Sequence, residues 1–269
     1  MGDGVRAVIL GIIEGLTEFL PVSSTGHMIL AMPALGVDGE RDPWPAFLYL
    51  VQVGAILAVV VHFFRPLARQ IMSRPPTGLR DHLLVKLAAG TLPAAIIGIP
   101  LNDWAERHLE KPAPVAMALV VGAVAMIAIE RWCGRRGIER VEDVTLRQAV
   151  LVGLAQCVSI IPGTSRAMAT IMGGMVVGMS PAVAAEFSFY MAIPTICGAG
   201  LYRVVKHPDS LGGGHLSVMA IGFLASFLVA WAVVAVFIRY LKRRPLWPFA
   251  VYRIVIGAAV LAGSVYWRP

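Results

Sequence analysis

Six apolar runs along the chain are long enough to cross the hydrocarbon core of a bilayer. They occupy residues 46–64, 83–101, 114–131, 182–203, 216–238 and 249–267. A membrane-spanning helix needs about 20 predominantly apolar residues, because each residue advances the helix by about 1.5 Å across a core of about 30 Å. The pattern therefore predicts six transmembrane helices.

Two further apolar segments, 5–36 and 148–179, are interrupted near the middle by polar turns. The first turn reads Pro-Val-Ser-Ser from Pro21, and the second reads Pro-Gly-Thr-Ser from Pro162. Irregular backbone at membrane depth is tolerated only where it is buried in protein or lines a water-filled cavity. Each segment is therefore predicted to be a re-entrant hairpin of two half-helices.

The composition agrees with an all-α integral membrane protein. The 269 residues are 58% hydrophobic and 14% charged, with a mean hydropathy of +0.75, whereas soluble domains carry about 25% charged residues. The net charge of +7 does not indicate a nucleic-acid partner, because the basic residues form short clusters between apolar runs without a basic face interleaved with aromatic residues.

The basic residues instead predict the orientation of the chain, because Lys and Arg concentrate in cytoplasmic loops. The richer set of alternating loops contains Arg65, Arg69, Arg74, Arg80, Arg131, Arg135, Arg136, Arg140, Arg147, Arg239, Lys242, Arg243 and Arg244. The poorer set contains Arg41, Arg107, Lys111, Arg203 and Lys206. Both termini are therefore expected to face away from the cytoplasm. The first hairpin then opens to the outside and the second to the cytoplasm.

The two hairpins resemble one another, and a similar series of spans follows each. Laying Pro21 on Pro162 places Ser23-Ser24 on Thr164-Ser165, and Thr25 on Arg166. Together with the opposite orientations of the hairpins, this predicts an inverted-topology repeat. The predicted division of the single membrane domain 1–269 is a first repeat 1–131 with hairpin 5–36, and a second repeat 148–269 with hairpin 148–179.

The half-helices that leave the two turns are expected to form one anion site. In inverted repeats such tips converge near the midplane of the membrane, and a helix N-terminus offers free N–H groups and partial positive charge. Arg166 adds a permanent charge whose guanidinium group suits a phosphate. The predicted substrate-binding residues are Ser23, Thr25, Gly26, Gly163, Thr164, Ser165 and Arg166.

Two carboxylates precede the first turn. Glu14 and Glu18 are four residues apart and therefore share a face of the incoming half-helix. In an apolar setting they repel each other unless a cation or a proton lies between them. Mg²⁺ or Ca²⁺ suits carboxylate oxygens and can bridge to a phosphate. Glu14 and Glu18 are therefore the candidate metal ligands, although they could also face the aqueous mouth of the hairpin.

Ser24 and His27 are the candidate nucleophile and base. They lie three residues apart at the start of the outgoing half-helix, and a hydroxyl needs a base to attack phosphorus at neutral pH. Simpler roles stay open, because the serines could serve only as helix caps, His27 as a structural hydrogen-bonding residue and Arg166 as a partner of Glu186. Arg253, near the start of the last span, is expected to extend toward the membrane surface.

Three stretches resemble the motifs of a known family. They are "EGLTEFLPVSSTGH" from Glu14 to His27, "PGTSR" from Pro162 to Arg166, and "AEFSF" from Ala185 to Phe189. They are similar to the undecaprenyl-diphosphatase family of bacterial inner membranes, once described as bacitracin-resistance proteins, over nearly the whole chain. The resemblance implies the spans, hairpins and inverted repeat described above. It also implies hydrolysis of undecaprenyl diphosphate to the monophosphate lipid carrier of peptidoglycan synthesis, at a site open to the periplasm.

The resemblance also assigns roles to single residues. Glu14 and Glu18 match the family's paired acidic motif, Ser24 the proposed nucleophile, His27 the catalytic histidine and Arg166 the phosphate-binding arginine. One stretch departs from the family, which usually continues Ser-Gly-Ala-Thr after the arginine, whereas residues 167–170 read Ala-Met-Ala-Thr. The contacts that the family makes through that Ser and Gly are therefore in question.

Several alternatives stay open from the sequence. Either His27 or Glu18 would take the proton of Ser24, and an activated water could attack instead. A transporter or flippase of a polyprenyl phosphate would use the same inverted repeat, although a serine, a histidine and paired glutamates exceed what anion transport needs. The expected partners are a polyprenyl diphosphate and membrane lipids, and the oligomeric state, a homodimer included, is open.

Overall fold

The structure is a computed structural model that describes residues 1–39, 43–73, 78–206 and 215–266, without the side chains of residues 106, 203–206 and 263–266. Within these ranges the regular structure is helical apart from one isolated bridge between Ile138 and Met179. The α-helices are α1 (Asp3–Thr17), α2 (Ser24–Ala34), α3 (Trp44–His62), α4 (Phe64–Met72), α5 (Leu83–Leu109), α6 (Pro112–Cys133), α7 (Leu146–Gln156), α8 (Arg166–Val176), α9 (Pro181–Lys206), α10 (Leu216–Leu241) and α11 (Trp247–Tyr266).

Five helices of the described part are long and apolar enough to cross a membrane. They are α3, α5, α6, α9 and α10, and they match the first five predicted spans. The sixth predicted span falls on α11, whose described side chains form the shorter apolar stretch Trp247–Ala262. The prediction of an all-α, multi-pass membrane protein is confirmed.

Parts of the sequence predictions lie outside the described residues. Arg41, Arg74 and position 267 are among them, as are the side chains of Arg203 and Lys206. The orientation of the chain in the membrane stays a prediction.

Each predicted hairpin contains two short helices joined by an irregular turn. In the first, α1 ends at Thr17 and α2 begins at Ser24, and in the second, α7 and a short 3₁₀ helix precede α8. The residue before each outgoing helix is a serine whose hydroxyl accepts a backbone N–H three residues further on. These bonds join Ser23 to Gly26 and Ser165 to Met168, each over 3.2 Å. The caps stabilise both helix starts at the turns.

The caps shift the predicted register of the two hairpins by one residue. Ser23 and Ser165 occupy the same position before their helices, so Ser24 corresponds to Arg166 and not to Ser165. The reason is that the second turn has one more residue between its proline and its cap. In the corrected register Glu14 corresponds to Gln156. The amide in its place leaves the second hairpin without that carboxylate.

The packing of the helices crosses between the two halves of the chain. Helix α1 packs against α10 and α7 packs against α5, while α3 packs on α10 and α6 on α11. Glycines permit the closest approaches, since a Cβ on Gly11 would lie 2.5 Å from the carbonyl oxygen of Gly222, and one on Gly153 would overlap Gly90. Small residues allow such contacts between membrane helices. The exact limits of the two repeats stay a prediction.

Candidate active site

The tips of the two hairpins meet through three side chains. Arg166 Nη2 donates to Glu18 Oε1 over 2.7 Å, and Ser24 Oγ donates to Glu18 Oε2 over 2.6 Å. Glu18 and Ser24 are only 9% and 8% exposed, so these contacts lie in a largely desolvated environment. Charge-assisted hydrogen bonds of this length are strong. The structure therefore brings Glu18, Ser24 and Arg166 together from both hairpins.

Arg166 is further held by α9. Its Nη1 donates to the backbone carbonyl of Ser188 over 3.3 Å. Glu186, the alternative partner considered from the sequence, instead accepts a hydrogen bond from the Tyr190 hydroxyl over 2.7 Å. The charge of Arg166 is thus directed to Glu18 at the hairpin tips.

Glu14 lies one helical turn before Glu18 and differs from it in its contacts. Its side chain is 2% exposed, and its Oε1 has no hydrogen-bond partner. Glu14 also lines the cavity that reaches the hairpin tips. A buried carboxylate oxygen without a partner needs a proton donor or a cation. The Oε1 atom of Glu14 is therefore available to bind an added group.

The atoms available to bind a metal ion differ in part from the prediction. Both oxygens of Glu18 are already engaged by Arg166 and Ser24, which leaves Glu14 Oε1 as the available ligand atom. Among the described residues no cluster of three or more His, Cys, Asp and Glu side chains could hold a metal by itself. Mg²⁺ is commonly held by one or two carboxylates together with substrate phosphates and water. The residues fit a cation that binds together with a diphosphate.

His27 does not contact the Ser24 hydroxyl. Its Nδ1 bonds to the carbonyl oxygen of Ser23, and its Nε2 bonds to the Tyr252 hydroxyl, each over 2.7 Å. The carbonyl can only accept, so Nδ1 carries a hydrogen, and in the neutral imidazole Nε2 then accepts from the Tyr252 hydroxyl. Thr25 and Met28 line the cavity, and His27 projects from the opposite face of α2. Of the two candidate bases, only Glu18 reaches Ser24 here.

An apolar cavity of about 510 Å³ lies beside the hairpin tips. The lining includes the polar residues Glu14, Thr25, Gln52, Thr91, Asn102, Glu110, Ser159 and Thr195. The remainder is mainly apolar and is lined by residues of α2, α3, α5 and α9, among them Met28, Met32, Leu48, Ala94, Ile99 and Tyr202. A mainly apolar cavity with several polar side chains in its lining suits an amphiphile with a polar head.

The two turns hold their backbones in an uncommon conformation. Ser23 and Ser165 have φ angles of 74° and 76°, and within the described ranges they are the only residues other than glycine with positive φ. Such conformations persist where the surrounding structure enforces them, and they cluster at functional sites. Gly163 also has a positive φ, of 92°. A side chain there would overlap the carbonyl oxygen of Val115, so glycine allows close packing of the second turn on α6.

Arg253 contacts both turns, which corrects the expectation that it extends to the membrane surface. Its side chain is fully buried. Its guanidinium donates to five backbone carbonyls over 3.0–3.1 Å, those of Pro21, Ala118, Leu119, Gly163 and Thr164. The sequence indicated only an arginine inside an apolar span, and such a residue usually faces the protein interior.

The predicted turn residues have different local roles. Ser23 and Ser165 cap helices, Thr25 is exposed to the cavity, and Gly163 and Thr164 offer carbonyls to Arg253. Gly26 closes the first cap through its backbone N–H. Met168, in the departing stretch, is buried and keeps its backbone bond to Ser165, so that cap does not depend on the side chain at this position.

Comparison with known proteins shows relatives along the whole chain. The protein is 48% identical over 263 residues to the undecaprenyl-diphosphatase of Sorangium cellulosum, covering 95% of this chain and 84% of the relative. It is 43% identical over 264 residues to that of Novosphingobium aromaticivorans, covering 96% of both chains. It is 40% identical over 266 residues to that of Clostridium tetani, covering 97% of both.

The family described as "Bacitracin resistance protein BacA" matches residues 7–259. The match includes most of the first hairpin, the whole of the second, the helices between them and Arg253. The chain therefore belongs to the bacitracin resistance protein BacA family.

Proposed function

We propose that the protein hydrolyses undecaprenyl diphosphate to undecaprenyl phosphate and inorganic phosphate. The observation that carries the proposal is the contact of Ser24 and Arg166 with Glu18 beside a mainly apolar cavity, which the neighbouring residues Glu14 and Thr25 line. It combines a hydroxyl, a proton acceptor and a fixed cation, which phosphoryl transfer requires. The names of the relatives agree with this reaction.

The proposed reaction begins at Ser24. Its oxygen attacks the terminal phosphorus while its proton passes to Glu18 Oε2, the atom it already contacts over 2.6 Å. The bond from that phosphorus to the bridging oxygen breaks, and undecaprenyl phosphate leaves. Water then hydrolyses the phosphoserine to serine and inorganic phosphate. Direct attack by a water that gives its proton to Glu18 reaches the same products.

Arg166 and the two helix N-termini stabilise the charge on the transferring phosphoryl group. A fixed cation and oriented N–H groups act strongly in a site that excludes water. Arg166 is bound to Glu18 before substrate arrives, so approach of a phosphate would redirect part of that interaction. As Glu18 takes a proton, its attraction for Arg166 weakens and the guanidinium becomes available to the phosphate.

A divalent cation, Mg²⁺ or Ca²⁺, completes the proposed site. Glu14 Oε1 would bind it, because this oxygen is buried beside the cavity without a partner. When bound, the cation neutralises charge on the diphosphate oxygens. The proposal thus assigns the metal to Glu14 and leaves Glu18 to the proton transfer.

The lipid and the membrane fit around this site. Most of the cavity lining is apolar, so the cavity would take the first part of a polyprenyl chain while the remainder stays in the bilayer. The proposed location is the bacterial inner membrane, with the active site open to the periplasm. The arginine-rich loops, including Arg65, Arg69 and Arg80, support that orientation.

The test is release of inorganic phosphate from a polyprenyl diphosphate by the purified protein in detergent. Release that requires Mg²⁺ or Ca²⁺, stops with excess EDTA and is lost in Arg166→Ala supports the proposal. Arg147→Ala, which removes an exposed arginine at the start of α7, is the matched control and keeps the activity. A folded wild type that releases no phosphate would contradict the reaction and leave transport of a lipid phosphate, because detergent removes the two leaflets that transport requires.

A further inference from the structure

We infer that Arg253 is a positioning residue that holds the two hairpin tips in the arrangement required for phosphoryl transfer. The inference rests on the proposed function and adds a residue outside both hairpins to it. Arg253 comes from α11 and does not line the cavity or contact Ser24, Glu18 or Arg166 through a hydrogen bond. Its action on the reaction would therefore be indirect.

The geometry of the guanidinium explains why an arginine suits this position. Arginine has five N–H donors in a rigid plane, and Arg253 makes five hydrogen bonds. One goes to the first turn at Pro21, two go to the second turn at Gly163 and Thr164, and two go to α6. A single rigid group thus fixes the distance between both turns and one spanning helix.

The partners of Arg253 are all backbone oxygens. Within the described ranges no carboxylate lies at ion-pair distance from it, and its side chain is fully buried. A buried charge of this kind is stabilised only if all of its donors are satisfied. Any displacement of a turn would leave a donor and a carbonyl unpaired, so the arrangement resists movement of either tip.

The contacts lie immediately before the reacting residues. Pro21 precedes Ser24 by three positions, and Thr164 precedes Arg166 by two. Ser24 and Arg166 begin α2 and α8 and meet only at Glu18. A relative shift of the turns would therefore separate the cation Arg166 from the nucleophile and base of the first hairpin. A misplacement of about 1 Å can reduce a rate by about 100-fold.

The neighbouring residue strengthens the connection with the first hairpin. Tyr252 bonds to His27 over 2.7 Å, and the two rings lie parallel, with centroids 5.6 Å apart. Helix α11 therefore contacts the first hairpin both at its turn and in α2. Of these two residues, only Arg253 contacts the second hairpin.

The first test compares Arg253→Lys with wild type in phosphate release. Lysine keeps the charge but has three donors on one atom and cannot reach all five carbonyls. We expect kcat to fall about 10- to 100-fold and KM to stay within about threefold. The matched control is Arg135→Lys, because Arg135 also donates to backbone carbonyls, those of Leu241 and Arg244, away from the site. The control keeps kcat.

A second variant tests the same contact without removing the arginine. A Cβ at Gly122 would overlap Arg253 Nη2, so Gly122→Ala displaces the guanidinium while α6 gains a better helix former. We expect the same selective fall in kcat. Gly200→Ala in α9 is the control, since a Cβ there meets nothing within 4 Å. If Arg253→Lys does not fold, the kcat of Gly122→Ala tests the positioning role of Arg253 by itself.

Hydrogen exchange of the folded variants separates positioning from general stability. In Arg253→Lys and Gly122→Ala we expect faster exchange in the peptides of both turns, 18–26 and 161–168, while α3, α9 and α10 keep their protection. An unchanged kcat in both variants overturns the inference, as does a rise in KM at unchanged kcat, which would mean direct binding of the diphosphate. A wild type that releases no phosphate is a different result, since it contradicts the proposed function itself.

Discussion

Three buried ionisable residues near the hairpin tips differ in their contacts. Glu18 is paired with Arg166 and hydrogen-bonded to Ser24, whereas Arg253 is surrounded by backbone carbonyls. Glu14 has an oxygen without any partner. Buried ionic groups are costly unless they are paired. The carbonyl partners of Arg253 therefore fit a positioning role, the contacts of Glu18 fit proton transfer from Ser24, and the unsatisfied oxygen of Glu14 fits a ligand.

The contacts predict different consequences for the two candidate bases. Glu18→Gln keeps the shape of the side chain but removes the proton acceptor of Ser24, so we expect kcat to fall about 1,000-fold. His27→Gln removes bonds to Ser23 and Tyr252 on the far face of α2, and we expect a loss of about tenfold or less, as for one or two hydrogen bonds. Steady-state kinetics of phosphate release measure both. A larger fall in kcat for His27→Gln than for Glu18→Gln would assign the base to His27.

At the level of the element, the hairpins depend on their caps and on glycine. The hydroxyls of Ser23 and Ser165 replace the missing helical partners at the starts of α2 and α8. Helix α1 then lies against α10 at Gly11, where no side chain could fit. The same arrangement recurs at Gly153 of α7 against α5. The site is thus supported by α2 and α8, which are capped at their starts, and by α1 and α7, which pack closely along one face.

The close approach of α1 predicts a loss of stability in Gly11→Ala. The new methyl group would lie 2.5 Å from the Gly222 carbonyl oxygen and 3.0 Å from Ala225 Cβ, and overpacking of this kind costs about 1–3 kcal/mol. Thermal unfolding in detergent should show a lower Tm. Gly4→Ala in the same helix is the control, because its nearest contact would be 3.8 Å. Equal Tm values for the two variants would show that α1 can move away from α10.

The sequence predicted elements better than it predicted contacts. Apolar length alone located the spans, and the prolines and serines located both hairpin turns, because these features are local. The extra residue in the second turn made the predicted alignment of the two hairpins wrong by one position, since only the position of the cap Ser165 shows where α8 begins. The hydropathy pattern also did not predict the short helix α4, because only Phe63 separates it from α3. Amphipathic helices of this kind are too short to give a spanning signal.

The contacts of the site could be predicted only in part. The meeting of hairpins in an inverted repeat suggested that Arg166 approaches the carboxylates, but it did not distinguish Glu14 from Glu18. The direction of His27 depends on Tyr252, more than two hundred positions away. The sequence predicted that Arg253 extends to the membrane surface, because hydropathy shows how close a residue is to the end of a span. It does not show which face of the helix carries the side chain.

At the level of the whole molecule, the two halves are interlocked. Helix α1 packs against α10 of the second half, and α7 packs against α5 of the first. The core therefore forms from both halves together, and the hairpin tips meet because each hairpin is anchored on the opposite half. Arginine-rich loops lie at one end of the predicted topology, and they predict the orientation of this core in the membrane.

The predicted orientation can be tested with single cysteines. A variant with Cys133, Cys157 and Cys197 replaced by serine receives one cysteine, either at Gly2 or back at 133, the end of α6. In intact cells without their outer membrane, we expect an impermeant thiol reagent to modify position 2 and not position 133. Inverted vesicles should give the opposite result. Modification of position 133 from outside would contradict the proposed periplasmic opening.

The most direct test of the account is phosphate release by Ser24→Ala, measured beside Thr25→Ala in the same detergent. Ser24 contacts Glu18, whereas the neighbouring Thr25 faces the cavity, so the two variants separate the reacting hydroxyl from the substrate-binding surface. We predict that Ser24→Ala loses at least about 1,000-fold in kcat, while Thr25→Ala changes mainly KM. A Ser24→Ala protein with near wild-type kcat would contradict attack by the serine.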